Sequence, residues 1–347
     1  MVGTSMFMST MKTFVVTGPN TSEVANEQAP VASEGFAVIE VQRVGVCGTD
    51  VEFFKGDMAY LHDGNAHFPM RLGHEWMGTV IDVASREDEK WLGLRVTGDT
   101  MLGCGVCRRC RLGHQHVCDF RVEIGVRGGF PGALAEQIRV PITALQTLPD
   151  TIDEALGALV EPGANALRCV WGSNLGPGER LLVIGPGTIG LLVALLAKTR
   201  GIEVHVAGTR EESLQFARTL GLDGAWLATE LPPLEWDAVV DATNDSSVPS
   251  QALELVEPGG RIVLIGLGTH SGHLDSRLLT IKDVTAVGIL SGSPALSSLI
   301  EIYANGQVDP RPLVAATVGL NDVGNVLAGE RPRNAGPGPK IHVDPRQ

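Results

Sequence analysis

Positive charge is in short supply here: 27 lysines and arginines stand against 40 aspartates and glutamates, a formal net charge of −13. A surface of that sign repels phosphate backbones and anionic lipid, which argues against a nucleic-acid or membrane role and leaves a small molecule as the expected partner. No run approaches the roughly 20 apolar residues that would span a bilayer, although 44% of the residues are hydrophobic. Residues 1–10 carry three methionines but no basic segment leading into an apolar stretch, so they do not read as a secretion signal. They are set aside as an extension before the first strand-like run, Met11-Lys12-Thr13-Phe14-Val15-Val16. Aromatic residues are few, at 5%, which argues against a pocket for a large aryl ligand and suits a polyhydroxylated one. The cysteines number six. Without a secretion signal they are expected to be reduced thiols in the cytoplasm, where clustered cysteines bind metal more often than they pair.

At 347 residues the chain is too long for one ordinary core and predicts two domains. From Phe14 to about Pro149 short β-type runs are split by Gly and Pro, as in Phe36-Ala37-Val38-Ile39-Glu40-Val41 and Ala135-Glu136-Gln137-Ile138-Arg139-Val140, which predicts a mostly β domain. Beyond Pro149 strands alternate with helices, the pattern of a parallel sheet. The expected strands are 180–184, 203–206, 237–240, 261–265 and 284–287. The expected helices include 188–198 and 211–220, the second closed by Gly221 at the C′ position that favours glycine. The last fifty or so residues return to a mixed texture and end in a strand at Lys340-Ile341-His342-Val343, after a Gly/Pro-rich loop. They are expected to rejoin the first domain. The fold class is therefore α/β, with one unit at 11–155 plus 292–347 and the other at 156–291.

Gly185-Pro186-Gly187-Thr188-Ile189-Gly190 follows an expected strand and opens an expected helix, the context that turns a weak glycine pattern into a dinucleotide fingerprint. The first two glycines allow a tight turn and close approach of a pyrophosphate, the third allows close helix packing, and the helix start offers unpaired N–H groups to the anion. About 20 residues on, an NAD site ends its second strand in Asp or Glu. Gly208 stands there instead, so no carboxylate repels a 2′-phosphate, and Thr209 and Arg210 offer hydrogen bonds and positive charge to one. NADP is favoured over NAD on this reading; the alternative is that Arg210 faces solvent at a helix start.

Cys104-x2-Cys107-x2-Cys110-x7-Cys118 packs four soft thiolates into one short loop, which suits a tetrahedral Zn²⁺ with every position filled by protein. Arg108, Arg109 and Arg111 either offset thiolate charge or form a solvated basic loop. A second constellation is dispersed: Cys47 in Cys47-Gly48-Thr49-Asp50, His74 and Glu75 in Gly73-His74-Glu75, and Glu161 before Pro162. Each motif is weak alone. Together they are a mixed sulfur, nitrogen and oxygen set, able to leave one metal position open for a substrate oxygen, as a catalytic zinc needs.

The order of these motifs, with Gly78 three residues after Glu75, resembles the zinc-containing medium-chain dehydrogenase/reductase family from Met11 onward. The resemblance implies a GroES-like β-barrel catalytic domain and a Rossmann domain, an active site in the cleft between them, and a homo-oligomer, dimer or tetramer. It implies that Cys47 and His74 are catalytic zinc ligands, that Glu75 and Glu161 alternate at or share the remaining protein position, and that the four-cysteine loop holds a structural zinc, making two zinc ions per chain. Glu161, where liver-type alcohol dehydrogenases carry Cys, points to the polyol, threonine and sugar enzymes. Cys47-Gly48-Thr49-Asp50-Val51-Glu52 is closest in form to the microbial glucose dehydrogenases. Two departures stand out. Ser291, placed beside the cofactor after the last strand, replaces the Asn typical of the glucose enzymes, and Glu52 replaces a relay His.

The expected chemistry is oxidation of a secondary alcohol or hemiacetal hydroxyl of a sugar, polyol or cyclitol, with hydride passing to nicotinamide. A zinc Lewis acid brings the pKa of a hydroxyl from about 16 toward about 7. Thr49 is either the first proton acceptor or an ordinary turn threonine. Asp50 braces its loop or pairs with a buried Arg; Glu52 extends a proton relay or points to solvent. Glu123, Glu52, Ser291 and His62 are candidate polar contacts to substrate, none placed by spacing alone, and the commoner role for each is structural or solvent-facing. Two other readings remain, a dehydrogenase of a simple or cyclic secondary alcohol and a non-catalytic zinc and nucleotide sensor. Intact metal residues argue against both the sensor and the zinc-free quinone reductase branch.

Overall fold

The structure, a computed structural model, describes residues 9–268 and 270–347. Most of the N-terminal extension set aside above lies outside the described residues. Thr10 already belongs to a strand, Thr10–Gly18, which forms a hairpin with Thr21–Gln28.

Apolar runs such as Arg180–Ile184, buried along nearly its whole length, are what a strand covered on both faces requires. Six strands form an all-parallel sheet in the spatial order Gly224–Leu227, Glu203–Gly208, Arg180–Ile184, Trp236–Asp241, Val256–Leu264, Thr285–Gly288. In chain order that is 3-2-1-4-5-6, the doubly wound Rossmann arrangement. Thr188–Lys198 and Val160–Ser173 cover one face, and Val248–Leu255 covers the other with Leu278 and Leu279. The crevice of such a sheet lies beyond the carboxyl ends of its strands, where the order reverses beside Arg180–Ile184.

The second unit is built on the long strand Phe36–Gly45. It pairs antiparallel with Glu75–Val83 on one side, and on the other with Gln137–Pro141 along its first half and Lys340–Val343 at its end. Arg95–Gly98 and Leu145–Thr147 extend the sheet at one edge, and Val314–Val318 extends it at the other. An extra residue in each strand of the pair, Ile81 opposite Val38 and Ile39 and Gln42 opposite Met77 and Gly78, bends the pair as bulges do and helps the sheet curl around Trp76, Phe53 and Ile39.

Three sequence expectations change. The helix expected at 211–220 runs Glu211–Arg218, and Gly221, although at φ 71°, lies beyond Thr219 and Leu220 rather than at C′. The edge strand Gly224–Leu227 was missed, because four residues are too few to show a period. The segment after Ser291 is shared: Leu296–Ala304 packs its apolar side on Val160–Ser173, within the core under the parallel sheet, before Val314–Val318 and Lys340–Val343 return to the barrel.

Candidate active site

Cys47 ends the turn after Phe36–Gly45 and caps the helix Gly48–Lys55. Its N–H donates to Asp50 Oδ2 at 2.9 Å, and Asp50 Oδ1 faces His74 Nδ1 at 3.4 Å. The fully buried Asp50 therefore braces the loop and turns the imidazole so that Nε2 is left for a ligand. Its partner is His74 rather than a buried Arg. Glu75 opens the next strand, Glu75–Val83, and is 1% exposed. The ligand atoms of Cys47, His74 and Glu75 lie within 4.8 Å of one another. Glu161, in the first turn of Val160–Ser173, is not part of that tight group; it accepts a hydrogen bond from Asn165 at 2.9 Å. Burial pushes its carboxyl up to about 7; among its charged neighbours His74 and Lys340 pull the other way and Glu75 adds to the rise.

Lys340 is the residue sequence reading missed. From the last strand its ammonium donates to both Glu75 oxygens, at 2.8 and 2.6 Å, and to the Val46 carbonyl at 2.9 Å, with the side chain 2% exposed. Burial opposes its charge, but Glu75, Cys47 and Asp50 outweigh burial and raise its pKa. The one available signal was a lysine inside an otherwise buried strand.

The four-cysteine loop is compact in the same way. Cys104, Cys107, Cys110 and Cys118 place their sulfurs within 4.8 Å of one another, and the Cys107 and Cys110 N–H groups point at Cys104 Sγ and Cys107 Sγ. N–H groups of Val106 and Cys107 bring the Cys104 thiol down to about 6. All six cysteines are free thiols. Both donor sets fit zinc: four soft sulfurs in one closed group, and a sulfur, nitrogen and oxygen set beside a cavity in the other. Arg109 pairs with the exposed Asp119 at 2.5 Å, as in a solvated basic loop.

The glycine turn lies where Arg180–Ile184 meets Thr188–Lys198. Gly185 sits at φ 106°, and a Cβ on Gly190 would come 1.9 Å from the Gly185 carbonyl oxygen, so the turn closes only on glycine. Gly187 caps the helix with open space in front of it and no side-chain cap. A groove of about 1190 Å³ runs along this turn past Thr209, Arg210, Ser213 and Arg331. It shares Gly187, Arg210, Thr243 and Arg331 with a cleft of about 700 Å³ that also holds Thr188, Ile189 and Thr49. That cleft in turn shares Cys47, Thr49 and Glu75 with a cavity of about 190 Å³ containing His74 and Glu161. One channel thus joins the helix start to the metal-type residues. Gly190 and Gly208 do not line it. A Cβ at Gly208 would meet the Pro186 ring at 2.7 Å, so packing, as well as the missing carboxylate, explains that glycine.

Residues 33–150 match the alcohol dehydrogenase GroES-like domain and residues 188–305 match the zinc-binding dehydrogenase domain. The chain belongs to the zinc-type medium-chain dehydrogenase/reductase family. It is 28% identical to an L-threonine 3-dehydrogenase of Legionella pneumophila over 76% of this chain and 80% of that one. Two solved structures share the fold, each with a TM-score of 0.87 over 97% of this chain. They are an alcohol dehydrogenase, RspB, of Escherichia coli CFT073 complexed with NADH, 23% identical over 99% of its own length, and a zinc-binding dehydrogenase of Sinorhizobium meliloti 1021 bound to NADP, 24% identical over 100%.

Within this dehydrogenase, the small cavity collects several of the polar residues expected at a substrate. Glu123, 4% exposed, lines it and accepts from Arg121 Nε at 2.8 Å and from Tyr60 Oη at 3.3 Å. Ser291, expected beside the cofactor and as a polar contact to substrate, lines this cavity at φ 69°, its hydroxyl 2.8 Å from that of Ser293. The Thr49 hydroxyl has no partner among the described residues. Glu52 does not line the cavity. It is half-buried in the cleft, where Asn244 donates to it at 3.4 Å, and burial raises its pKa. His62 is exposed and does not line the cavity, so it drops out as a substrate contact. No helix among the described residues is long and apolar enough to cross a membrane.

Proposed function

We propose that this chain is a zinc-dependent, NAD(P)-linked dehydrogenase that oxidises a secondary alcohol or hemiacetal hydroxyl of a sugar, polyol or cyclitol, using NADP in preference to NAD. The observation that carries the reading is the channel itself, which leads from the glycine turn past Thr49 to Cys47, His74 and Glu75.

Cys47 and His74 hold the catalytic metal, with Glu75 and Glu161 sharing the remaining protein position. Cys104, Cys107, Cys110 and Cys118 hold a second, structural ion. A zinc at the first site supplies Lewis acidity toward a hydroxyl, and nicotinamide supplies the hydride acceptor. The chain's own residues do the rest. Asp50 fixes His74, and Lys340 neutralises and positions Glu75. The unpartnered Thr49 hydroxyl, which lines both the cleft and the cavity, takes the alcohol proton and passes it toward the cofactor ribose or solvent. Glu123, Ser291 and Asn165 give the cavity the acceptors and donors that further substrate hydroxyls require, and the L-threonine 3-dehydrogenase relative likewise bears the name of an alcohol flanked by polar groups. Met58, Met101, Val126 and Leu290 in the same wall favour the second reading, a simple or cyclic secondary alcohol.

The division of labour follows: residues 11–155 with 292–347 carry Cys47, His74, Glu75 and the four-cysteine loop, 156–291 carry the glycine turn and lend Glu161 to the metal, and the whole assembles as a homo-oligomer. A panel of aldoses, polyols, cyclitols and simple secondary alcohols, each assayed with NAD and NADP by nicotinamide absorbance, tests substrate and cofactor together; activity confined to unsubstituted alcohols overturns the sugar and polyol reading. Cys47→Ala is expected to abolish turnover while leaving NADPH binding intact, and retained turnover would sink the metal assignment. About two zinc ions per chain by elemental analysis are expected. A single zinc, removable without loss of cofactor binding, would instead mark a sensor.

A further inference from the structure

The cofactor groove is walled from two directions. One wall is the Rossmann turn with Thr209, Arg210 and Ser213; the other is the loop at 329–339, which leads into the last barrel strand and contributes Arg331, Ala335, Gly336 and Pro337. Arg210 and Arg331 are the two cationic residues lining the larger compartment, and both also line the adjoining cleft, so they occupy the same stretch of the channel. They come from different units and are 121 positions apart in the chain.

Neither arginine forms an ion pair with a carboxylate among the described residues. Both guanidinium groups therefore keep their full charge on one groove of a chain whose net charge is −13. Glu212, exposed on the following helix, is the carboxylate lining the same compartment. Arg331 is not loose. Its Nη2 donates to the Gly338 carbonyl at 2.8 Å and to the Gly336 carbonyl, both within its own loop, where Pro332, Pro337 and Pro339 restrict the backbone. Carbonyl partners anchor a guanidinium without cancelling its charge, so its remaining N–H groups stay directed donors for an anion, which suits the fork geometry that binds phosphate.

We propose that Arg331 contacts the 2′-phosphate of NADP from the barrel side of the groove, opposite Arg210, so that the phosphorylated cofactor is held by both units at once. The assignment rests on the preference for NADP argued above, and it assigns part of that preference to a residue outside the Rossmann unit. Pyrophosphate and ribose are common to NAD and NADP, so a contact to either would serve both cofactors equally. Only a 2′-phosphate contact discriminates.

The test is equilibrium binding of NADPH and NADH to the full-length protein, followed by reduced-nicotinamide fluorescence, with 2′-AMP and 5′-AMP as competitors. Removal of one charge-assisted contact is expected to weaken binding about tenfold or more. Arg331→Ala should therefore lose about that much affinity for NADPH and 2′-AMP, with NADH and 5′-AMP changed less than about twofold, and Arg331→Lys should recover part of the loss. Unchanged zinc content and melting temperature establish that the variant is folded. An equal loss for NADPH and NADH overturns the proposal in favour of a pyrophosphate contact, and no loss for either overturns it outright. A wild-type protein that binds NADH as tightly as NADPH removes the NADP preference itself. A wild-type preference for NADPH that survives Arg331→Ala removes only the role of Arg331.

Discussion

At the residue scale the most consequential pair is Lys340 with Glu75, two charges that are 2% and 1% exposed. A buried ion pair adds little stability over an apolar pair of the same shape, but removing one partner strands the other charge and costs about 3–5 kcal/mol. Lys340→Met is therefore expected to lower the unfolding free energy by roughly that amount, read by urea denaturation. It should also loosen metal at Cys47 and His74 while the four-cysteine site keeps its zinc, as elemental analysis before and after mild chelation would show; equal loss from both sites would argue against a local role. Cys47, His74 and Glu75 were legible as candidates because their residue types already suggest metal chemistry. Lys340 was not, since a lysine carries no such signal until a carboxylate is seen beside it.

At the scale of elements, the glycine turn shows what a local pattern can specify. The helix Thr188–Lys198 begins and ends where the sequence placed it, because the capping glycine, the apolar periodicity and the third glycine all act within a few residues. Gly190→Ala brings a methyl group to 1.9 Å from the Gly185 oxygen, so the turn must open. The expected result is a loss of NADPH affinity of about tenfold or more, from the misplaced helix N–H groups, with both zinc ions retained; affinity within twofold of wild type would show that the turn does not seat the cofactor. Elements with weak local signals fared worse. Gly224–Leu227 is a strand only because Glu203–Gly208 offers it an edge. Leu296–Ala304 was assigned to the barrel by its place in the chain, whereas its apolar side packs under the parallel sheet.

Across the whole molecule, two buried histidines set an acid limit. His116, within the four-cysteine lobe, is held at about 4, by burial first and then by Arg168, His114 and Arg121. His342, between Lys340 and Val343 in the last strand, is held well below the usual 6.5 by burial and then by Lys340 and Arg43. Both are neutral when folded. Below about pH 6.5 these two side chains take up protons in the unfolded chain that the folded chain refuses, so their contribution to stability falls as pH falls from there toward 4, while Glu161, held up at about 7, acts in the opposite sense. In urea midpoints measured at steps from pH 7.5 to 5, His116→Gln should lose less stability toward acid than the wild type does; parallel curves would rule out this contribution.

What the sequence determined by itself was everything that acts over short separations: the Cys104 to Cys118 spacing, the glycine turn, the strand and helix texture of the two units, and the motif order that marks the dehydrogenase family. These are readable because the interacting groups are neighbours along the chain. Tertiary structure decided the rest. It brought Lys340 across 265 positions to Glu75, set Arg331 against the groove of Arg210, put Ser291 in the wall of the cavity and left His62 outside it. Such pairs depend on how Lys340–Val343 rejoins Phe36–Gly45 and on how the two units face each other, and neither is encoded in any local period or spacing.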